Sequence, residues 1–308
     1  MDVETLKDLG GFESFVYEYQ FEEKEYILRV GHGLRRNRML VRGELDWLDF
    51  LSRNGADVST PRKSAAGNLV EAVSDEHGDE FLATSFRKAP GRPPERADWK
   101  EELFLNYGET IGRLHALSRE YKPKAGFERL DWDHPMMLNT ADSLPETEPL
   151  ALEKLKQTRE TLQSYPQNPD TYGLIHQDAH AGNFYLTNEG KITLFDFDDC
   201  CYGHFAYDVA MVLFYAVTWS EDPDQFAPKF LTPFLQGYTR HSKFEKEWLE
   251  WLPAFLKLRE IDLYGVIHRD RDVENLTSPW EINFMNGRKE RIESGRPYIN
   301  FPFGKLQF

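Results

Sequence analysis

In the stretch LIHQDAHAGN, residues 174–183, His176, Asp178 and His180 occupy alternate positions, and Asn183 follows five residues after Asp178. On a strand, alternate side chains share one face, and His with carboxylate is a ligand set that suits zinc. The other histidines, His204 and His268 among them, offer no paired spacing to complete such a site. Phosphoryl transfer is the second chemistry open to these residues, and it asks the protein mainly for positioning and charge. One carboxylate must take the proton of an attacking hydroxyl, and hard oxygen ligands must hold Mg2+ on nucleotide phosphates. Asp178 can supply the first; Asn183 and Asp196 can supply the second. Two strand-like runs, FYLT (184–187) and KITLF (191–195), flank Asn188-Glu189-Gly190 and lead into Asp196-Phe197-Asp198-Asp199. Such a hairpin leaves both loops at one end, where the amide and the carboxylates converge.

The run from Leu174 to Ala210 resembles the aminoglycoside phosphotransferase and choline kinase-like family. That group carries a His-Gly-Asp-Leu-His-Pro-Gly-Asn loop, a hairpin, an Ile-Asp-Phe or Ile-Asp-Trp segment and a Tyr-Asp-Leu-Ala helix start. This chain has HQDAHAGN, LFDFDD and YDVA in that order at matching spacing, with Gln177 for the usual Gly and Ala181 for the usual Pro. The resemblance implies an α+β, bilobal protein-kinase-like fold with a small antiparallel-sheet N-terminal lobe and a larger helical C-terminal lobe. It implies ATP and Mg2+ as cofactors and a small-molecule hydroxyl acceptor of the aminoglycoside, choline or homoserine type. Asp178 would then be the catalytic base, and Asn183 and Asp196 the metal ligands. Gly11 and Ser14, within GGFESFVYEY (10–19), would cover the phosphates. Arg29 stands where the family places a strand lysine, with Glu44 as its ion-pair partner. FLATSFRKAPG (81–91) would run into the hinge that binds adenine, and IGRLHAL (111–117) matches the family's Leu-His helix end. His176 and His180 would brace the loop, His180 close to the transferred phosphate. Asp208 would accept hydrogen bonds from the catalytic-loop backbone, and Asp198 would be a second metal contact or an acceptor-site acid. A protein Ser/Thr kinase of the same fold and a catalytically silent nucleotide-binding module are the alternatives. The absent GxGxxG and Ala-Pro-Glu-type segment oppose the first; the intact Asp178, Asn183 and Asp196 oppose the second.

Elements able to position these residues are legible around them. Residues 12–30, with a turn at Glu22-Glu23-Lys24, read as a hairpin. Leu45, Leu48 and Leu51 recur at helical spacing before the stop signal Asn54-Gly55. Residues 68–73 and 80–86 read as two further strands. KAPGRPPE (88–95) cannot continue a helix or a central strand, so the chain divides into a nucleotide-binding lobe (1–87), a hinge (88–95) and a catalytic and acceptor-binding lobe (96–308). Helices are expected over 99–121, 205–218 and 246–268, the last bent at Pro253. The tail RPYINFPFGKLQF reads as an extended strap held by its aromatics.

With 308 residues, 40% of them hydrophobic, the chain can build a large core, and its net charge of −15 argues against a nucleic-acid partner. The basic run Arg35, Arg36, Arg38 and Arg42 reads as a solvated loop or helix face. MDVETLKDLGG lacks the features of a signal peptide, and VAMVLFYAV (209–217) is too short to span a bilayer. The adjacent Cys200 and Cys201 read as small buried hydrophobes. A soluble, cytoplasmic protein without membrane partners is expected; the oligomeric state has no signature. Asp198, Asp199, Glu260 and Asp262 are expected to face the cleft and favour a cationic or amine-bearing polyhydroxyl acceptor.

Overall fold

The computed structural model describes residues 3–11, 13–218 and 220–308. Met1 and Asp2 of the N-terminal reading and Phe12 at the start of the expected hairpin lie outside them. Strands β1 (Lys7–Gly10), β2 (Phe15–Phe21) and β3 (Lys24–His32) precede helix α1 (Arg38–Arg53), and β4 (Pro61–Arg62), β5 (Val70–Ser74) and β6 (Glu80–Arg87) follow it. They form one antiparallel sheet in the order β1-β2-β3-β6-β4, with β5 also paired to β6. Phe21 pairs with Lys24, so the β2–β3 loop has two residues, Glu22 and Glu23, both at positive φ (49° and 59°). Such a turn matches the right-handed twist of the strands it joins. Asn37 caps α1 by accepting a hydrogen bond from the Leu40 amide (3.0 Å), and Leu40, Leu45, Leu48 and Leu51 bury one face of the helix.

From Lys88 to Lys100 the chain has no strand or α-helix. Arg92 exchanges two backbone hydrogen bonds with Leu186 (3.1 and 2.8 Å), tying this segment to the far side of the cleft. Helical structure then dominates, beginning with α2 (Glu101–Glu120), the short α3 (Thr140–Ser143) and α4 (Pro149–Gln163). Strands β7 (Tyr172–Ile175), β8 (Phe184–Leu186), β9 (Ile192–Leu194) and β10 (Cys201–His204) carry the loops that matter for chemistry. Helices α5 (Phe205–Val217), α6 (Pro223–Tyr238), α7 (Leu252–Asp270), α8 (Pro279–Met285) and α9 (Arg288–Glu293) complete the fold.

The helix expected over 246–268 is two elements: a 3-10 segment, Lys246–Trp251, and α7, whose first turn contains Pro253. Proline is tolerated there because its missing N–H has no helical partner to lose, so it starts the helix and does not bend one. The terminal strap is held as its aromatics suggest. Tyr298 stacks on Phe214 with centroids 4.2 Å apart, and Ile299, Phe303 and Leu306 are buried. Cys200 and Cys201 are buried free thiols, and burial pushes the Cys200 thiol up to about 12. Among the described residues no helix is long and apolar enough to cross a membrane.

α2 and α6 pack with their backbones nearly touching. A Cβ placed on Gly108 would overlap the Phe234 carbonyl, and one on Gly237 the Leu105 carbonyl. Gly108→Ala should therefore cost about 1–3 kcal/mol, the usual range for overpacking, read as a lower urea midpoint with an unchanged m-value.

Candidate active site

The site is built where β7 ends. β10 pairs antiparallel with β7, Cys201 opposite Ile175, which sets the 196–200 loop beside the 176–183 loop. The Phe195 amide donates to the Asn183 carbonyl (2.9 Å), closing the β8–β9 hairpin onto both. Asp208, in the first turn of α5 and fully buried, accepts from the backbone amides of His176 (2.8 Å) and Gln177 (2.6 Å). It also meets His115 Nε2 (3.0 Å), while His115 Nδ1 lies 2.8 Å from the Tyr238 hydroxyl. Burial holds the His115 pKa low, so the ring is neutral. A carboxylate only accepts, so Nε2 carries the ring proton and Nδ1 accepts from Tyr238. His176 is buried, its Nε2 against the Phe195 carbonyl (3.1 Å) and its Nδ1 accepting from the Asp178 amide (3.3 Å). His180 instead caps the next turn, Nδ1 accepting from the Gly182 amide, and turns Nε2 to Asp178 (3.4 Å). The two rings serve separate partners, so the zinc arrangement suggested by their spacing is not assembled.

Asp178 has basic groups on two sides, His180 and Arg259 of α7, whose Nη2 lies 3.4 Å from Oδ1. Burial alone would raise its pKa, but His180 and then Arg259 outweigh that and hold it below the usual carboxylate range. In the reverse sense, burial would depress His180, yet Asp178 raises it above its ordinary value. Arg259 also donates to the Tyr215 hydroxyl and to Asp262 (2.8 Å). Nothing in the sequence pointed to Arg259, which lies 81 residues from Asp178; only the helical phase of α7 brings it there.

Arg29 on β3 is paired with Glu44 of α1 at 2.5 Å, both buried, and its other amino group lies 3.5 Å from Asp196. Burial works against the Arg29 charge, but Glu44 more than offsets it, and the pKa is raised. Asp196 sits at φ 61°. Desolvation within the cleft and then Asp199, Glu44 and Asp178 hold its pKa up against the pull of Arg29, although 53% of the side chain is exposed; a bound cation would relieve that crowding. Asn183 donates through Nδ2 to the Asp178 carbonyl (2.8 Å) and Oδ2 (3.1 Å), so that among the described residues only its Nδ2 is engaged. Among the described residues no group of three or more His, Cys, Asp and Glu side chains is placed to hold a metal alone. One carboxylate and one amide oxygen fit a hard cation that takes its remaining ligands from phosphates and water.

Two cavities meet at Val16, Arg29 and Asp196. The smaller, about 150 Å3, is an apolar slot walled by Ile27, Leu48, Phe86, Ala89, Tyr185 and Phe197. The larger, about 550 Å3, opens between Gly11 and Ser14 on one side and Met136, Asp142, Asp178, Arg259 and Asp262 on the other.

Charge in this cleft departs from expectation. Glu260 is fully buried and held by Lys257 (2.5 Å) and Arg288 (2.6 Å), away from the cleft. Asp262 does line it. Two residues apart on a helix are about 200° apart around its axis, so the pair could not share a face. Asp199 lines the cleft, but after burial is counted Arg35 and Arg36 hold its pKa well down. Arg36 reaches its carboxylate at 2.5 Å. Asp198 is paired with Arg35 and lies 3.8 Å from Arg29. The Arg35–Arg36 run is therefore no solvated face: Arg36 is buried, and both guanidiniums turn inward to these carboxylates, while Arg38 stays outside with Glu80. The cleft is mixed in charge, not acidic throughout.

Residues 5–252 match a family described as the phosphotransferase enzyme family. The chain belongs to that family. An amicoumacin kinase of Bacillus subtilis (strain 168) is 35% identical over 308 residues, 98% of this chain and 91% of that protein. The solved structure of an amicoumacin kinase in complex with AMP-PNP, Ca2+ and Ami matches with a TM-score of 0.93 at 34% identity, over 100% of this chain and 93% of that one. A microcompartment-associated aminopropanol kinase matches with a TM-score of 0.73 at 25% identity, over 98% and 94%. The bilobal protein-kinase-like fold is borne out by these likenesses. Family membership and relatives that are small-molecule kinases displace the protein Ser/Thr kinase and silent-module readings.

The charges around Asp178 set a pH dependence. Because its folded pKa is lowered, the stability it contributes is present above about pH 3.9 and lost as pH falls through the lower value. The His180 contribution is complete below about pH 6.5 and lost as pH rises through its raised value. His180→Gln removes one cation from Asp178, so the acidic limb of the kcat/KM profile should move to higher pH.

Proposed function

We propose that this phosphotransferase moves the γ-phosphoryl group of ATP to a hydroxyl of an amine-bearing small molecule of the amicoumacin type, in the cytoplasm. The observation that carries this reading is that Asp178 and Asp196 line one cleft where the apolar slot opens into it, with Asn183 hydrogen-bonded to Asp178 (3.1 Å). The slot, bordered by Lys88 and Ala89 of the segment between the lobes, suits an adenine ring. Arg29, fixed by Glu44, is placed to hold phosphate oxygens, and Gly11 and Ser14 lie over the same space. Asp196 and Asn183 would hold Mg2+, which when bound neutralises phosphate charge. Asp178 orients the attacking hydroxyl and takes its proton. A carboxylate flanked by two cations is a weak base, but a loose transition state asks for little proton transfer until bond formation is well advanced. Orientation is then its larger contribution.

The amine follows from the acceptor side of the cleft and from the relatives. Asp142 is exposed there and forms no ion pair among the described residues, unlike Asp198, Asp199 and Asp262. Amicoumacin kinase and aminopropanol kinase are the similar enzymes.

The test is Mg2+-dependent ADP release with amicoumacin, aminopropanol, choline and homoserine, and a product heavier by one phosphoryl group. Asp196→Asn should abolish turnover and weaken Mg2+-dependent nucleotide binding; wild-type activity in that variant would refute the assignment. Asp178→Asn should leave ATP affinity nearly intact and lower kcat by about 10²–10⁴-fold. Asp142→Asn should raise the acceptor KM several-fold while the KM for ATP stays put.

A further inference from the structure

Gln177 combines three features that its neighbours do not share. Its backbone lies at φ 67°, in the left-handed region that favours glycine. Its side chain is buried, 7% exposed, yet it lines the large cleft next to Asp178. Among the described residues its Oε1 has no hydrogen-bond partner. The buried Tyr207 hydroxyl is a hydrogen-bonding neighbour of the side-chain amide. Each feature alone disfavours a glutamine here. Glycine would meet the backbone angle without strain, and a buried amide oxygen left unpaired forfeits its water without replacement. Asp208 holds the backbone in this shape through the Gln177 amide at 2.6 Å, so the conformation is imposed by the loop and the side chain is the part left over. Strain and an orphaned polar group in a cleft wall are stored where a ligand makes use of them.

We infer that the Gln177 side-chain amide is an acceptor-binding group, its carbonyl oxygen taking a hydrogen bond from an N–H of the acceptor held beside Asp178. This rests on the phosphotransferase reading above and names a contact within it. The terminal torsion of glutamine is broad, so the amide turns toward the cleft without disturbing the loop. Its place directly before Asp178 in the chain means that one contact fixes the acceptor relative to the carboxylate that orients its hydroxyl. A misplacement there costs rate steeply.

The experiment compares Gln177→Gly, Gln177→Leu and Gln177→Glu with the wild-type enzyme, using whichever of amicoumacin, aminopropanol, choline or homoserine the wild type phosphorylates fastest. The Gly and Leu variants should raise the acceptor KM about tenfold or more and leave the KM for ATP unchanged. Gln177→Glu keeps an oxygen in place and should restore acceptor KM to near wild type for a cationic amine. The Gly variant, freed of the left-handed strain, should unfold at the same temperature as wild type or higher. An acceptor KM unmoved in Gln177→Gly, a parallel rise in the KM for ATP, or a fall in its unfolding temperature would each overturn the inference while the kinase reading stood. A wild-type enzyme inert toward the whole panel would overturn both.

Discussion

One buried carboxylate organises the candidate active site. Asp208 accepts from two consecutive backbone amides and one imidazole, with no exposure to water. Bonds to an ionised acceptor are stronger than neutral ones, and losing this acceptor would leave the His176 and Gln177 amides unsatisfied inside the protein. The left-handed bend at Gln177, the direction of Asp178 and the seat of His176 are all set at this point. His115 extends the hold to α2, and Tyr238 extends it to α6, so the two helices whose backbones touch at Gly108 also carry the loop.

Around that anchor the charges are arranged in alternation. Asp178 lies between His180 and Arg259, Arg259 between Asp178 and Asp262, and Arg29 between Glu44 and Asp196. Asp198 and Asp199 meet Arg35 and Arg36. A cleft built this way holds many acidic and basic groups at low net charge, which limits repulsion of an anionic nucleotide. Asp196 is the exception, held above the usual range, and it is the carboxylate assigned to a cation.

The parts of the site legible in the sequence are those whose geometry is local. Asp178 and Asn183 share one loop, Asp196 follows a short hairpin, and Asp208 opens a helix soon after; each separation is spanned by a single turn or strand pair. Arg259, Arg35 and Arg36 were not legible as site residues, because they arrive from other elements and composition alone makes an arginine look solvated. Glu260 was misassigned for want of a helical-phase argument that its spacing from Asp262 already allowed. α6 was hidden by its internal Pro228 and Pro233, although Asp222 followed by Pro223 is a helix-start signal.

Arg129, which the sequence did not single out, ties the two parts of the site together. It is buried, and its guanidinium donates to the Leu40 carbonyl in α1 (2.7 Å) and to the Asp198 (2.6 Å) and Cys200 (2.7 Å) carbonyls of the loop after Asp196. Those three bonds rivet α1, and with it Glu44, to the larger lobe. In protein kinases the corresponding helix swings, making and breaking its ion pair with the strand as an activity switch. Here the position of Glu44, and with it the Arg29 ion pair, is tied through Arg129 to the loop that follows Asp196.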